Sequence, residues 1–330
     1  MTTLYQAANL RLSRGVPAEA ALVKQVQRDL RRLGYLKTGI DGVFGRESEA
    51  AIRSLRFDLL HNDGQGPDGR APVAVMSYNR GRVKEVNGVL DEELAAVMAE
   101  MLADRRFEKV PESPDPAADN ARAVAALRAM PRGRVPLPFL LAILAQESGM
   151  KHYREPAPDN EDNFVVVGLD RNGEENARIT SRGYGIGQYT LFHHPPAPEE
   201  VSTVILDPAA NVQQAARELE AKLERFVAGQ TPATRASDRE QEIGAAPLRR
   251  CRFAPEDPRY LTACRECAAA AARVTVTLEP TQYHPRGQYA GVPDRKQFGC
   301  DWPYAVRRYN GSGVNSYHYQ AQVLLRILNG

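Results

Sequence analysis

Pro138-Phe139-Leu140-Leu141-Ala142-Ile143-Leu144-Ala145-Gln146-Glu147-Ser148-Gly149 is the stretch on which the fold of this chain turns. Proline near its start and glycine at its end bracket a short, very apolar helix. A helix this apolar belongs in the interior of a helical domain. Glu147 falls in its last turn, on the face of Ile143 and Leu144. Burial there disfavours the charged carboxylate, and the dipole at a helix C-terminus acts in the same direction. The spacing therefore predicts a carboxyl group kept protonated toward neutral pH. Read alone, the same glutamate is better taken as the solvated end of a core helix, so the remaining segments have to decide.

Toward the N-terminus, Val23, Val26, Leu30 and Leu33 recur at helical spacing, with Lys24, Gln27, Arg28 and Arg31 expected on the opposite face. Gly34 stands where a left-handed cap residue is wanted. Asp41-Gly42-Val43-Phe44-Gly45 reads as a tight turn presenting one aromatic to a core. A second helix places Ala51, Ile52, Leu55 and Leu59 inward, and 61–82 is rich in Gly, Pro and Asp and reads as a loop. A third helix begins at Asp91, a good N-cap, and carries Leu94, Val97, Met98 and Met101. The expected organisation is a first domain over 1–109 (core about 18–103), a semi-rigid Pro-rich linker over 110–119, and a second domain over 120–330. The fold class is mainly α. Polar, irregular stretches are expected at 152–180 and 228–260.

The string Val26-Gln27-x-x-Leu30-x-x-Leu33-Gly34-Tyr35, then Asp41-Gly42-Val43-Phe44-Gly45, then Ala50-Ala51-Ile52, resembles the small three-helix peptidoglycan-binding domain of wall hydrolases. Asn87-Gly88-Val89-Leu90-Asp91 fits its closing element, and the Gly/Asp-rich insertion at 61–86 departs from it. The resemblance implies a module that holds the cell wall. Leu30, Leu33, Tyr35 and Phe44 are read as core.

Two segments follow Glu147. Ser181-Arg182-Gly183-Tyr184-Gly185-Ile186-Gly187-Gln188-Tyr189 has three glycines in five residues, letting backbone come close to a bound chain, and Gln188 offers an amide for sugar groups. Arg308-Tyr309-Asn310-Gly311-Ser312-Gly313 precedes a final helix with Val323, Leu324, Ile327 and Leu328. Glu-Ser on an apolar helix, then Gly-x-Gly-Gln, then Tyr-Asn-Gly, is similar to the soluble lytic transglycosylase family, whose fold is lysozyme-like and mainly α-helical. The resemblance implies that Glu147 is the catalytic acid/base with Ser148 its neighbour. It implies that Gly185, Gly187 and Gln188 line a saccharide cleft, and that Tyr309 and Asn310 support the glutamate and the cleft floor. The implied reaction cleaves the β-1,4 bond between N-acetylmuramic acid and N-acetylglucosamine and leaves 1,6-anhydro ends. Ile186-Gly187 replaces the family's usual Leu-Met, and Arg308 stands where alanine is common. A second carboxylate from Asp159, Glu161, Asp162, Asp170, Glu174 or Glu175 would instead give a goose-type lysozyme-like muramidase. The blander reading of those six is a solvated acidic loop. A third reading is a non-catalytic wall-binding protein.

Forty-three basic against 41 acidic side chains give a net charge of +2, which argues against nucleic acid as partner. No apolar run is long enough for a membrane span. The N-terminus shows no secretory signal, so delivery to the wall or periplasm is expected through phage lysis as an endolysin, a virion, or a specialised secretion system as an effector. An immunity or inhibitor protein is a conceivable partner of such an effector. The chemistry requires no cofactor or metal. His152, His193, His194, His284 and His318 lack metalloprotease spacing, and His193-His194-Pro195-Pro196 reads as a loop. Tyr283, Tyr289, Trp302 and Tyr304 could stack on sugars or fill a core. Cys251, Cys264, Cys267 and Cys300 permit a tetrathiolate zinc site or, preferred here, two disulfides, with three pairings open.

Overall fold

The computed structural model describes residues 10–37, 39–130, 135–224, 249–272, 275–277, 288–290, 299–311 and 314–330. The fold is mainly α, as expected. Its helices are α1 (Ala20–Arg32), α2 (Arg46–His61), α3 (Glu92–Ala103), α4 (Pro116–Ala129), α5 (Leu137–Ser148), α6 (Pro198–Glu200), α7 (Pro208–Lys222), α8 (Tyr260–Ala272), α9 (Trp302–Tyr309) and α10 (Val314–Asn329). The strands are short. β1 (Arg11–Leu12) pairs with β4 (Leu90–Asp91), β2 (Gln65–Gly66) with β3 (Gly69–Arg70), and β8 (Thr275–Thr277) with β9 (Gln288–Ala290). β5 (Val167–Arg171), β6 (Ile179–Tyr184) and β7 (Tyr189–Leu191) form an antiparallel three-stranded sheet. Among the described residues no helix is long and apolar enough to cross a membrane.

The chain folds as two compact units, residues 1–125 with 151–211, and residues 126–150 with 212–330. This division differs from the expected boundary at 110–119. The Pro-rich segment is docked rather than free. Val110 N–H donates to Arg32 O at 2.9 Å, Ser113 N–H to Asn163 O at 3.0 Å, and Val165 N–H to Pro111 O at 2.9 Å, while α4 already starts at Pro116. Segment 152–180, expected to be irregular, contributes β5 and the first two residues of β6 to the first unit. Its apolar run Phe164-Val165-Val166-Val167 is fully buried, and such a run reads as a core strand once the polar residues around it are discounted.

In the first unit, α1, α2 and α3 enclose one core through Val26, Leu30, Leu33, Ile52, Leu55, Leu94 and Met98. Asp91 caps α3 by accepting from Leu94 N–H at 2.9 Å. Gly34 has φ +78° just past α1, as its cap position predicts. Two residues expected on the solvated face of α1 are buried instead. The Gln27 amide donates to Asp41 Oδ1 at 2.8 Å and Val43 O at 3.0 Å, and accepts from Gly42 N–H at 2.9 Å, so it clamps the Asp41–Gly45 turn. Arg31 is 0% exposed and pairs with Asp162. A second ion pair, Arg182 with Asp58 at 3.1 Å, is almost as deep. Helical periodicity marks apolar faces only, and a polar residue buried against a partner far away in sequence leaves no periodic signal.

The second unit is helical around a core of Phe139, Ile143, Leu219, Trp302, Val306, Val323 and Leu324. α5 follows the expected bounds: Pro138 lies in its first turn and Gly149, at φ +65°, closes it in a left-handed cap. Trp302 and Tyr304 are buried in this core, so they serve packing rather than an open sugar-stacking surface. His284 and Tyr283 lie outside the described residues, as does most of 228–260; Tyr289 lies on β9.

Candidate functional site

The second unit holds Glu147. It lies in the last turn of α5, the most apolar helix of that unit, and is partly buried. α10 packs against α5. It presents Tyr319, Gln322 and Arg326 at i, i+3 and i+7, hence on one face. The Tyr319 hydroxyl donates to Glu147 Oε1 at 2.6 Å. Gln146 Nε2 donates to Gln322 Oε1 at 2.5 Å, and Arg326 Nε donates to Gln146 Oε1 at 2.8 Å. One oxygen of the carboxyl is thereby fixed in direction by a rigid neighbouring helix. Burial, and then the charge of Glu147, pushes the Tyr319 hydroxyl well above the usual phenol range, so it remains a proton donor at any physiological pH.

Tyr309, expected to support the glutamate, ends α9 in the same unit. Its phenol is likewise raised well above the ordinary range by burial, then by the charges of Glu147 and Glu218. Asn310 caps α9 and is exposed, while Ser312 and Gly313 lie outside the described residues. The Ser148 hydroxyl donates to Leu144 O at 3.0 Å, a bond within its own helix. Tyr319 is thus a direct hydrogen-bond partner of Glu147 that sequence reading missed. A signal was present: Tyr319, Val323 and Ile327 continue the apolar stripe of the final helix, so the hydroxyl of Tyr319 had to meet a polar group in the interior.

Gly185, Gly187 and Gln188 belong to the first unit, in the turn between β6 and β7. There the glycines serve close packing within the protein. A Cβ on Gly185 (φ +76°) would stand 2.5 Å from His152 Cε1 and 2.8 Å from Asn211 Nδ2. Gly187 N–H donates to Asn211 Oδ1 at 2.8 Å, and Asn211 Nδ2 donates to Tyr184 O at 3.0 Å. Gln188 folds back, its amide donating to Gly185 O at 2.8 Å. Of the expected site residues, Glu147, Ser148, Tyr309 and Asn310 fall in one unit and these three in the other.

The acidic residues between them divide. Asp162 is buried on Arg31, Glu161 pairs with Lys24 at 2.6 Å, and Asp170 accepts from the Ser181 hydroxyl at 2.8 Å. Asp159, Glu174 and Glu175 are exposed. The solvated-loop reading therefore fails for Asp162. His193-His194-Pro195-Pro196 is a loop, as expected, but His193 is buried in it between Asp68 Oδ1 at 3.2 Å and Glu200 Oε2 at 3.0 Å. Among the described residues no group of three or more His, Cys, Asp or Glu side chains is arranged to hold a metal ion.

A family model described as "Putative peptidoglycan binding domain" matches residues 19–55, which comprise α1, the Asp41–Gly45 turn and the first ten residues of α2. Comparison with curated proteins and with solved structures gives no match. Residues 19–55 thus match a peptidoglycan-binding domain, which supports peptidoglycan as a partner.

Proposed function

We propose that this protein binds peptidoglycan through its N-terminal domain and cleaves the glycan strands with Glu147 as acid/base. The observation that carries the reading is the carboxyl of Glu147 at the end of an apolar helix, held by the Tyr319 hydroxyl at 2.6 Å. A glycosidic oxygen must be protonated as its bond to C1 breaks, and a directed carboxyl group does this. As a lytic transglycosylase, the same group then takes the proton of the C6 hydroxyl, whose oxygen closes on C1 to give the 1,6-anhydro end. The protein contributes one carboxyl group to that sequence, and the acetamido group of the substrate assists.

Hydrolysis as a muramidase needs a second carboxylate to position water. The acidic segment expected to supply it has Asp162 and Glu161 engaged in ion pairs with Arg31 and Lys24. Glu218 is another candidate: its charge and that of Glu147 both act on Tyr309, although it too is in an ion pair, with Lys222 at 2.7 Å. Mass spectrometry of products from purified peptidoglycan, treated with wild type and with Glu147→Gln, tests the proposal. Anhydro-ended muropeptides from the wild type alone support transglycosylation. Reducing ends assign hydrolysis and make Glu218→Gln the next variant. Binding to sacculi without release of any product by wild type leaves a wall-binding protein and overturns the catalytic reading.

A further inference from the structure

The four cysteines of the chain are spread over residues 251–300, and the second unit draws them together. Cys251, Cys267 and Cys300 line one surface cavity with Glu266 and Gly299, and buried Cys264 feels the charges of Cys251 and Cys267. All four are thiols in this structure. Cys264 and Cys267 are one turn apart on α8. Helix neighbours at that spacing hold their Cβ atoms about 5–6 Å apart, whereas a disulfide needs about 3.5–4.5 Å. Pairing these two would break the helix. Two pairings remain, and the geometry favours one of them: Cys267 Sγ lies 3.8 Å from the Cβ position of Gly299, the residue before Cys300, and Cys267 and Cys300 line the same cavity whereas Cys264 does not.

We propose that Cys267 and Cys300 are an exchange-competent pair that closes to a disulfide, with Cys267 as the attacking thiol. Cys267 is partly exposed while Cys300 is buried, so an external disulfide reaches Cys267 first. The hydrogen bond from Cys300 and the Gly299 N–H both favour the Cys267 thiolate, lowering its pKa despite burial; Cys300, the donor, is raised. The Cys267 thiolate attacks one sulfur of a small-molecule or protein disulfide and expels the other half as a thiolate. Cys300 then gives up its proton and attacks the Cys267 sulfur of the mixed disulfide, expelling the second half. Two electrons pass to the donor disulfide, which leaves as two thiols carrying the two protons. The bond ties α8, which packs on α10 and α5, to the residues that begin α9. Cys251 and Cys264 are left as the second pair. Disulfide donors abound in the oxidising space where the proposed substrate lies; that setting, though not the bond, rests on the proposed function.

The test uses the full chain incubated with oxidised glutathione, alkylated, digested without reduction and mapped by mass spectrometry, with zinc content measured on the same sample. A Cys267–Cys300 linked peptide, its loss with dithiothreitol and a lower unfolding temperature after reduction are expected. Cys300→Ser should abolish the link and remove the response of the unfolding temperature to dithiothreitol at this pair. Should that variant fail to fold, the wild-type map alone decides. Four alkylatable thiols after oxidation, a link from Cys300 to Cys251 or Cys264, or one bound zinc per chain with no link would each overturn the pairing. Because the readout is a peptide mass, failure here leaves the reading of Glu147 untouched.

Discussion

Arg31 and Asp162, 131 residues apart in the chain, meet at 3.1 Å with side chains 0% and 1% exposed. Arg31 also donates to Leu36 O at 3.0 Å and Val165 O at 3.1 Å, so its guanidinium joins the peptidoglycan-binding helices to the segment that leads into β5. Burial lowers the Arg31 pKa and Asp162 offsets part of that effect. The binding domain is therefore one wall of a larger folded unit.

Removing one partner of this pair leaves an uncompensated buried charge. Arg31→Met and Asp162→Leu should each cost about 3–5 kcal/mol, read as a shift of the denaturation midpoint. The double variant should recover much of the loss, since an apolar pair of similar volume is tolerated. Additive losses in the double variant would contradict the pairing.

Deleting the residues before Val110 should do more than weaken attachment to the wall. It removes Arg31, the Gly34 carbonyl and Asp58, which hold Asp162 and Arg182. Rapid amide exchange across β5 and β6 in the truncated chain is the expected result. Native-like protection there would mean that the second half of the unit folds by itself, as a tethered-module reading expects.

Glu147→Gln should lower glycan cleavage by about 10²–10⁴-fold, the usual contribution of a positioned acid/base group. Tyr319→Phe should lower it less. A hydrogen bond to a charged group contributes about 1.5–3 kcal/mol, which corresponds to roughly 10- to 100-fold. Sacculus binding should be unchanged in both. A Tyr319→Phe variant with full activity and an unaltered pH profile would deny that tyrosine a positioning role.

Gly185→Ala should destabilise the first unit, because the added methyl meets the His152 ring at 2.5 Å in a left-handed backbone conformation. Overpacking of this kind costs about 1–3 kcal/mol. Full stability of this variant would show that the turn can relax around it.

Stability should fall as the solution is acidified from about pH 6.5. Burial depresses His152 to about 4 and His194 well below its ordinary value. Between those values and 6.5 the unfolded chain binds protons that the folded chain refuses, so stability is present above pH 6.5 and is lost as pH falls. Each imidazole contributes a slope of about 1.4 kcal/mol per pH unit in that window. Denaturant midpoints at pH 7.5 and pH 5 measure it, and equal values would exclude buried neutral histidines.

The sequence by itself determined the helices of the binding domain, the turn at Asp41–Gly45, the capping by Asp91 and Gly34, and the bounds of the helix that carries Glu147 in its last turn. Those features are local. They follow from apolar periodicity and from residues whose backbone or side chain suits one position of a turn or cap, and each needs only a few neighbouring residues to be read. Only the tertiary structure decided that Gln27 and Arg31 are buried, that 151–211 completes the first unit, that Gly185 packs on His152, and that Tyr319 donates to Glu147. Each of these depends on polar groups far apart in the chain satisfying one another away from water. Such a match has no sequence period, because the residue that makes burial of a charge tolerable can lie anywhere the chain returns to.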